Sequence, residues 1–160
     1  MIDPQEFIQH LQVNGVEFFT GVPDSLLKDF CACLEHGARA GQHVISANEG
    51  GAVALALGYH LATRKVPLLL VIGWRGEPGV HDEPQHKKQG RVMLAMLEAM
   101  EIPYSILGPE TDELSVALAP ALAHVRNASA PFALVIKKGT FQPFTLPRFD
   151  KPDCSLSREA

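Results

Sequence analysis

The stretch His43 to Thr63, "HVISANEGGAVALALGYHLAT", decides the fold. "HVISA" has the short apolar character of a β-strand, and beyond Asn48 the pattern changes to a long helix of small apolar residues. A strand that feeds straight into a helix is the repeating element of α/β proteins. Glu49 stands at the junction, between the apolar strand and two glycines. An acid in the first helical turn favours the helix macrodipole, which is the plainest reason for it to be there. Gly50 and Gly51 cost helix stability, so they imply something packed closely against the backbone. After them the helix has almost no polar residue until Tyr59 and His60, which predicts a well-buried element. A carboxylate in such a place is expected to lose its water and to have its pKa raised, by up to ~3–5 units. It would need a hydrogen-bonding partner, and the neighbouring sequence has no basic one.

Working outward, the same alternation recurs. Asp3 followed by Pro4 reads as an N-cap with proline at the first helical position, with Phe7, Ile8 and Leu11 on one face and Gly15 as the stop. "VEFFT" predicts a strand. "GVPDS" predicts a turn in which Asp24 or Ser25 caps a helix bearing Leu26, Leu27, Phe30 and Leu34. "PLLLVIG", Pro67 to Gly73, is a continuous apolar run, expected of a strand buried on both faces. A polar loop, "WRGEPGVHDEPQHKKQG", leads to the helix "RVMLAMLEAM". The strand "PYSIL", a helix opened by Thr111 and the strand "PFALVIKK" follow. This predicts an α/β fold with a mostly parallel sheet flanked by helices. The domain is expected over residues 1–138, with a linker-like tail over 139–160. In such sheets ligands lie beyond the carboxyl ends of the strands. "TGVPDS", "NEGG" and "GWRGEPG" all follow strands, so one sheet edge is expected to collect them.

Composition narrows the function classes. The chain has 160 residues, a formal net charge of -4 and scattered Lys and Arg, so a nucleic-acid footprint is not expected. No apolar run has the length of a membrane span, and the N-terminus lacks a signal pattern. Three cysteines, Cys31, Cys33 and Cys154, suit reduced thiols and a cytoplasmic setting better than a disulfide scaffold. His81, Asp82, Glu83 and His86 share a loop broken by Pro78 and Pro84. Their spacing fits no standard zinc or iron site, so no metal ligand is assigned to this chain. Arg75 is a guanidinium suited to an anion, or equally a surface or helix-capping arginine.

"FFTGVPDSLLKDF", "ANEGGAVALALGYHLAT" and "LLLVIGWRGEPGVHDEPQHKKQGR" together resemble the N-terminal half of the phosphonopyruvate decarboxylase family, whose cofactor is thiamine diphosphate. The sulfopyruvate decarboxylase α subunit is a close relative and an alternative reading. The resemblance covers about residues 6–144, and "GWRGEPGVHDEPQH" is its most specific part. It implies a pyrimidine-binding domain in which Glu49 hydrogen-bonds N1′ of the aminopyrimidine and promotes the imino form that removes the thiazolium C2 proton. It further implies Val22 and Pro23 beside the cofactor, Asp24 as a proton relay, and Ser25 and Arg75 as contacts for a 2-oxo acid substrate. The implied reaction converts 3-phosphonopyruvate to phosphonoacetaldehyde and CO2.

Two departures carry expectations of their own. The family has a strand, a glycine-rich turn and a helical stretch between the segments matching "GYHLAT" and "PLLLVIG". Here Lys65 passes almost directly to the later strand, so one internal strand and its crossover are expected to be missing. The short connection would let the later strand slide into the vacancy. The family's second domain carries the motif, a Gly-Asp-Gly followed later by Asn, that holds the diphosphate and Mg2+. This sequence has no such motif. That half is expected from another domain or chain, in a homo-oligomer or in a complex with a diphosphate-binding subunit. A truncated, non-catalytic interaction variant is the reading from another class.

Overall fold

The computed structural model describes residues 1–63 and 68–146. Ten elements alternate along them: α1 (Pro4–Val13), β1 (Phe19–Gly21), α2 (Lys28–Gly37), β2 (His43–Ile45), α3 (Glu49–Thr63), β3 (Leu69–Gly73), α4 (His86–Ala99), β4 (Tyr104–Leu107), α5 (Leu114–Asn127) and β5 (Phe132–Ile136). The local reasons are those read from the sequence at α1. Asp3 Oδ1 accepts the Gln5 N–H at 2.7 Å, Pro4 opens the helix, and Phe7, Ile8 and Leu11 are buried. Two starts differ. α4 begins at His86, inside the stretch expected to be loop. α5 begins at Leu114, because the Thr111 hydroxyl accepts the Gly108 N–H in the preceding turn and caps no helix.

Every strand pairing is parallel, but the strands form two sheets. β1 pairs with β2, and β5 lies between β3 and β4. β5 is the central strand, buried along its whole length. The period-two geometry of a strand divides its side chains. Phe132, Leu134 and Ile136 join the main core with α1, α2 and α5, whereas Ala133 and Val135 pack with Leu97 of α4.

β3 does not occupy the place that its composition predicts. "PLLLVIG" reads as a strand covered on both faces, yet all five residues of β3 are only half-buried. The cause is topological. Among the described residues β3 has β5 on one side and no strand on the other, and it has not slid across to pair with β1. The two-sheet arrangement agrees with an α/β domain that lacks an internal strand.

The C-terminal boundary also differs from expectation. Phe141 stacks on Phe30 at 5.6 Å and meets the edge of Phe7 at 5.2 Å. The Ile2 N–H donates to the Thr140 carbonyl at 2.7 Å, and the Gln142 N–H returns to the Ile2 carbonyl at 2.8 Å. Thr140 and Phe141 are therefore buried, with the half-buried Phe144 packed against the core, so packed chain continues past Lys138. The reason is the aromatic spacing: Phe141 fills the space between α1 and α2. The rest of the expected tail, 147–160, lies outside the described residues.

Candidate active site at the strand ends

Parallel pairing brings the three unusual segments to the carboxyl ends of β1, β2 and β3, as the order of elements implies. After β1, Val22 and Pro23 line an apolar cleft, and Asp24 turns the chain into α2. Asp24 Oδ1 accepts from the Leu26 N–H at 2.7 Å and the Leu27 N–H at 3.3 Å, which fills the turn role foreseen for it, but α2 starts only at Lys28 and has no side-chain cap. After β2, the Ser46 hydroxyl lies 2.9 Å from the Thr20 hydroxyl and ties the two strand ends together. Asn48 Oδ1 then accepts the Gly51 N–H at 2.8 Å, a helix cap that the sequence reading missed although Asn is a preferred cap residue.

The loop after β3 is the most tightly organised part of the site. Arg75 grips Asp82 with two hydrogen bonds, Nε to Oδ2 at 2.9 Å and Nη2 to Oδ1 at 2.7 Å. Its remaining nitrogen, Nη1, donates to the Ser25 hydroxyl at 2.8 Å and lies 3.8 Å from Asp24 Oδ2. Asp82 also accepts the backbone N–H groups of Gly76 and Glu83, both at 2.7 Å, and faces His86 Nδ1 at 3.3 Å. The Arg75 fork and these amides hold the Asp82 carboxyl far below the usual carboxylate range, and the same pairing raises Arg75.

Glycine makes the loop possible. A Cβ on Gly90 would lie 2.0 Å from the Gly76 carbonyl oxygen, and one on Gly76, whose φ is +70°, would lie 2.1 Å from the His86 carbonyl oxygen. The Trp74 indole N–H donates to the Gly90 carbonyl at 2.9 Å and fastens the loop to α4.

The structure thus brings Asp24, Ser25 and Arg75 together, and adds Asp82, which had no assigned role. Glu49 stands apart. It begins α3 as expected, but its side chain is exposed and no hydrogen bond links it to the Arg75 cluster among the described residues. Nor is α3 the buried helix that its sequence predicts. Only Ala52 is buried, and Leu57 and Leu61 are 51% and 56% exposed. The apolar character is real, but among the described residues no element covers it. Gly50 and Gly51 meet nothing closer than the Asn48 side chain, so the close neighbour they imply is not part of the described chain either. His81 is exposed. No group of His, Cys, Asp and Glu suited to a metal exists among the described residues, and none of their helices is long and apolar enough to cross a membrane.

Residues 5–80 match the family model of the thiamine pyrophosphate enzyme, N-terminal TPP binding domain. That segment includes the Asp24 turn, Glu49 and Arg75. That segment, just under half of the chain, is similar to the N-terminal domain of the thiamine pyrophosphate enzymes. The chain is 32% identical over 75 residues to a phosphonopyruvate decarboxylase of Streptomyces viridochromogenes, covering 47% of this chain and 19% of the relative. It is 24% identical over 164 aligned positions to a phosphonopyruvate decarboxylase of Streptomyces hygroscopicus, covering 87% of this chain and 41% of the relative. The chain therefore spans less than half the length of the curated relatives it matches.

Proposed function

We propose that the chain is the pyrimidine-binding half of a thiamine-diphosphate-dependent decarboxylase acting on 3-phosphonopyruvate, and that a second domain or chain supplies the diphosphate and Mg2+ site. One observation carries this reading. Glu49 opens a helix whose first backbone turn is left bare by Gly50 and Gly51 and whose apolar face is uncovered. A carboxylate, a bare helical turn and an apolar wall suit one side of a planar polar ring whose other side belongs to a partner. They do not make a complete pocket by themselves.

When bound, thiamine diphosphate supplies the electron sink for loss of CO2 from a 2-oxo acid. The tasks left to this chain are holding, orienting and excluding water. Glu49 would hold a proton against N1′ of the aminopyrimidine, a role that needs the partner to desolvate it. General acid–base help of this kind contributes roughly 10²–10⁴ in rate. Val22 and Pro23 would wall the ring. Asp24, fixed by two backbone amides, would move a proton at its outer oxygen, Oδ2. Ser25 would meet the substrate, with Arg75 holding its hydroxyl through Nη1. Two carboxylates beside Arg75 weaken it as the counter-charge for a dianion, so most of the phosphonate charge would be met by the partner. A sulfonate substrate fits the same arrangement.

The test is reconstitution. The full chain is mixed with the C-terminal half of a related phosphonopyruvate decarboxylase, thiamine diphosphate and Mg2+, and phosphonoacetaldehyde release is followed. Product only when both halves are present supports the proposal. Turnover of sulfopyruvate in preference to phosphonopyruvate would reassign the substrate. The exposure of Glu49 in the single chain favours a second reading, a non-catalytic partner of full-length enzymes. That reading gains if the two halves associate without turnover.

A further inference from the structure

The C-terminal end of α1 places a labile residue where the fold needs a glycine. Gly15 has φ +93°, a conformation in which a side chain is strained, and it completes the helix stop. Its N–H donates to the Gln12 carbonyl at 3.0 Å, and the Val16 N–H donates to the Leu11 carbonyl at 3.1 Å. The residue before it is Asn14. Asparagine is a chemically labile residue, most of all before glycine, because no side chain then shields the next backbone nitrogen from the asparagine amide carbon. The glycine that ends the helix therefore also exposes Asn14 to deamidation.

The structure holds the pair away from reaction at three points. At ψ 12° the Gly15 nitrogen eclipses the Asn14 backbone nitrogen, whereas closing a ring onto the side chain needs it to eclipse Cβ. Asn14 Nδ2 donates to the His10 carbonyl at 2.7 Å. Asn14 Oδ1 accepts from Nη2 of Arg126, in the last turn of α5. The first two ties are local to α1. The third comes from a residue 112 positions away, so it exists only while α1 and α5 are held together by the fold.

We propose that Asn14 is a site of spontaneous deamidation, to aspartate and isoaspartate, and that Arg126 is the lock that slows it in the folded chain. In the first step the Gly15 nitrogen attacks Asn14 Cγ. The bond from Cγ to the side-chain nitrogen breaks, and ammonia leaves with the proton that Gly15 gives up, forming a succinimide. Water then opens the ring. Addition at Cγ gives aspartate, and addition at the Asn14 backbone carbonyl carbon gives isoaspartate. Aspartate still pairs with Arg126, but it loses the donor to the His10 carbonyl and sets a negative charge at a helix C-terminus. Isoaspartate inserts an extra carbon into the backbone and breaks the helix stop. Both products loosen α1, which carries Phe7, Ile8 and Leu11 of the core. The lock does not depend on the proposed decarboxylase chemistry, since none of its residues takes part.

The test is site-resolved mass spectrometry of the full chain, of its Arg126→Ala variant and of the free peptide of residues 12–17, Gln-Val-Asn-Gly-Val-Glu, incubated side by side at neutral pH. Conversion at Asn14 is expected to be slower in the full chain than in the peptide by about tenfold or more, since several hydrogen bonds have to open first. Arg126→Ala is expected to speed conversion at Asn14 by about threefold or more, the worth of one such bond, and to leave Asn48 unchanged. Equal rates in the full chain and the peptide would overturn the lock, and a peptide in which the asparagine stays intact would overturn the site. Equal rates at Asn14 in the parent and in Arg126→Ala would overturn the part given to Arg126. Amide exchange of β5 reports that the variant is folded, and the comparison of parent with peptide stands without the variant.

Discussion

Arg75 and Asp82 form a two-point fork, Nε to Oδ2 at 2.9 Å and Nη2 to Oδ1 at 2.7 Å, which fixes the loop after β3 and leaves only Nη1 of the arginine to face Ser25 and Asp24. The arginine is therefore first a brace between the loops that follow β1 and β3. Any contact with substrate has to be made within that brace.

Asp82 makes the brace sensitive to acid. Its carboxyl is held well below the ordinary range by the Arg75 fork, by backbone amides and by His86. The unfolded chain has an Asp pKa of about 3.9. A folded value below the unfolded one adds stability that is complete above about pH 4 and is lost as the pH falls below that. Asp82→Asn is expected to lower the melting temperature at pH 7 and to flatten the melting-temperature profile between pH 4 and 2. Thermal unfolding across that range measures both.

Arg75→Lys keeps the charge and loses the fork. The expected result is faster amide exchange at Leu26 and Leu27, whose N–H groups are held by Asp24 beside the arginine, with exchange in β5 unchanged. Unchanged exchange at both amides would mean that Asp24 holds the turn without help.

Two glycines separate a packing requirement from a propensity cost. Gly90→Ala places a methyl 2.0 Å from a carbonyl oxygen of the opposing backbone, and is expected to destabilise by about 1–3 kcal/mol. Gly58→Ala, in the middle of α3, meets nothing within 4 Å and is expected to stabilise by roughly 0.4–1 kcal/mol. Urea unfolding of the two variants beside the parent protein gives both signs.

Phe141 closes the core from beyond the point where the sequence suggested a tail. It touches the rings of Phe7 and Phe30 and is 7% exposed. Phe141→Ala is expected to cost about 3–5 kcal/mol. A loss of less than about 1 kcal/mol would show that the segment is an accessory.

What the sequence made legible was local. The Asp3-Pro4 cap, the apolar face of α1, the order of strands and helices and the placement of three loops on one edge follow from periodicity and turn chemistry acting over a few residues. The misses come from long-range effects. Nothing in "LLVIG" says whether a neighbour strand exists, so a central-strand composition appears at an edge. Nothing in "GTFQPF" says that Phe141 returns to a gap between α1 and α2, because prolines and polar residues dominate around it. The Arg75–Asp82 fork spans seven residues of irregular loop, where no period points to a partner. The burial expected of α3 was inferred from composition alone, and composition does not say whether a neighbouring element covers the helix.

The central claim is that Glu49 grips the cofactor once a partner covers α3, and cofactor binding tests it without relying on turnover. Calorimetric titration of thiamine diphosphate and Mg2+ into the full chain plus the C-terminal half of a related decarboxylase is predicted to give saturable heat. Each component alone should give none, and Glu49→Gln should weaken binding in the mixture by at least about tenfold, or 1.4 kcal/mol. Equal affinity for the parent and the Gln variant, under conditions where the two halves demonstrably associate, would contradict the claim.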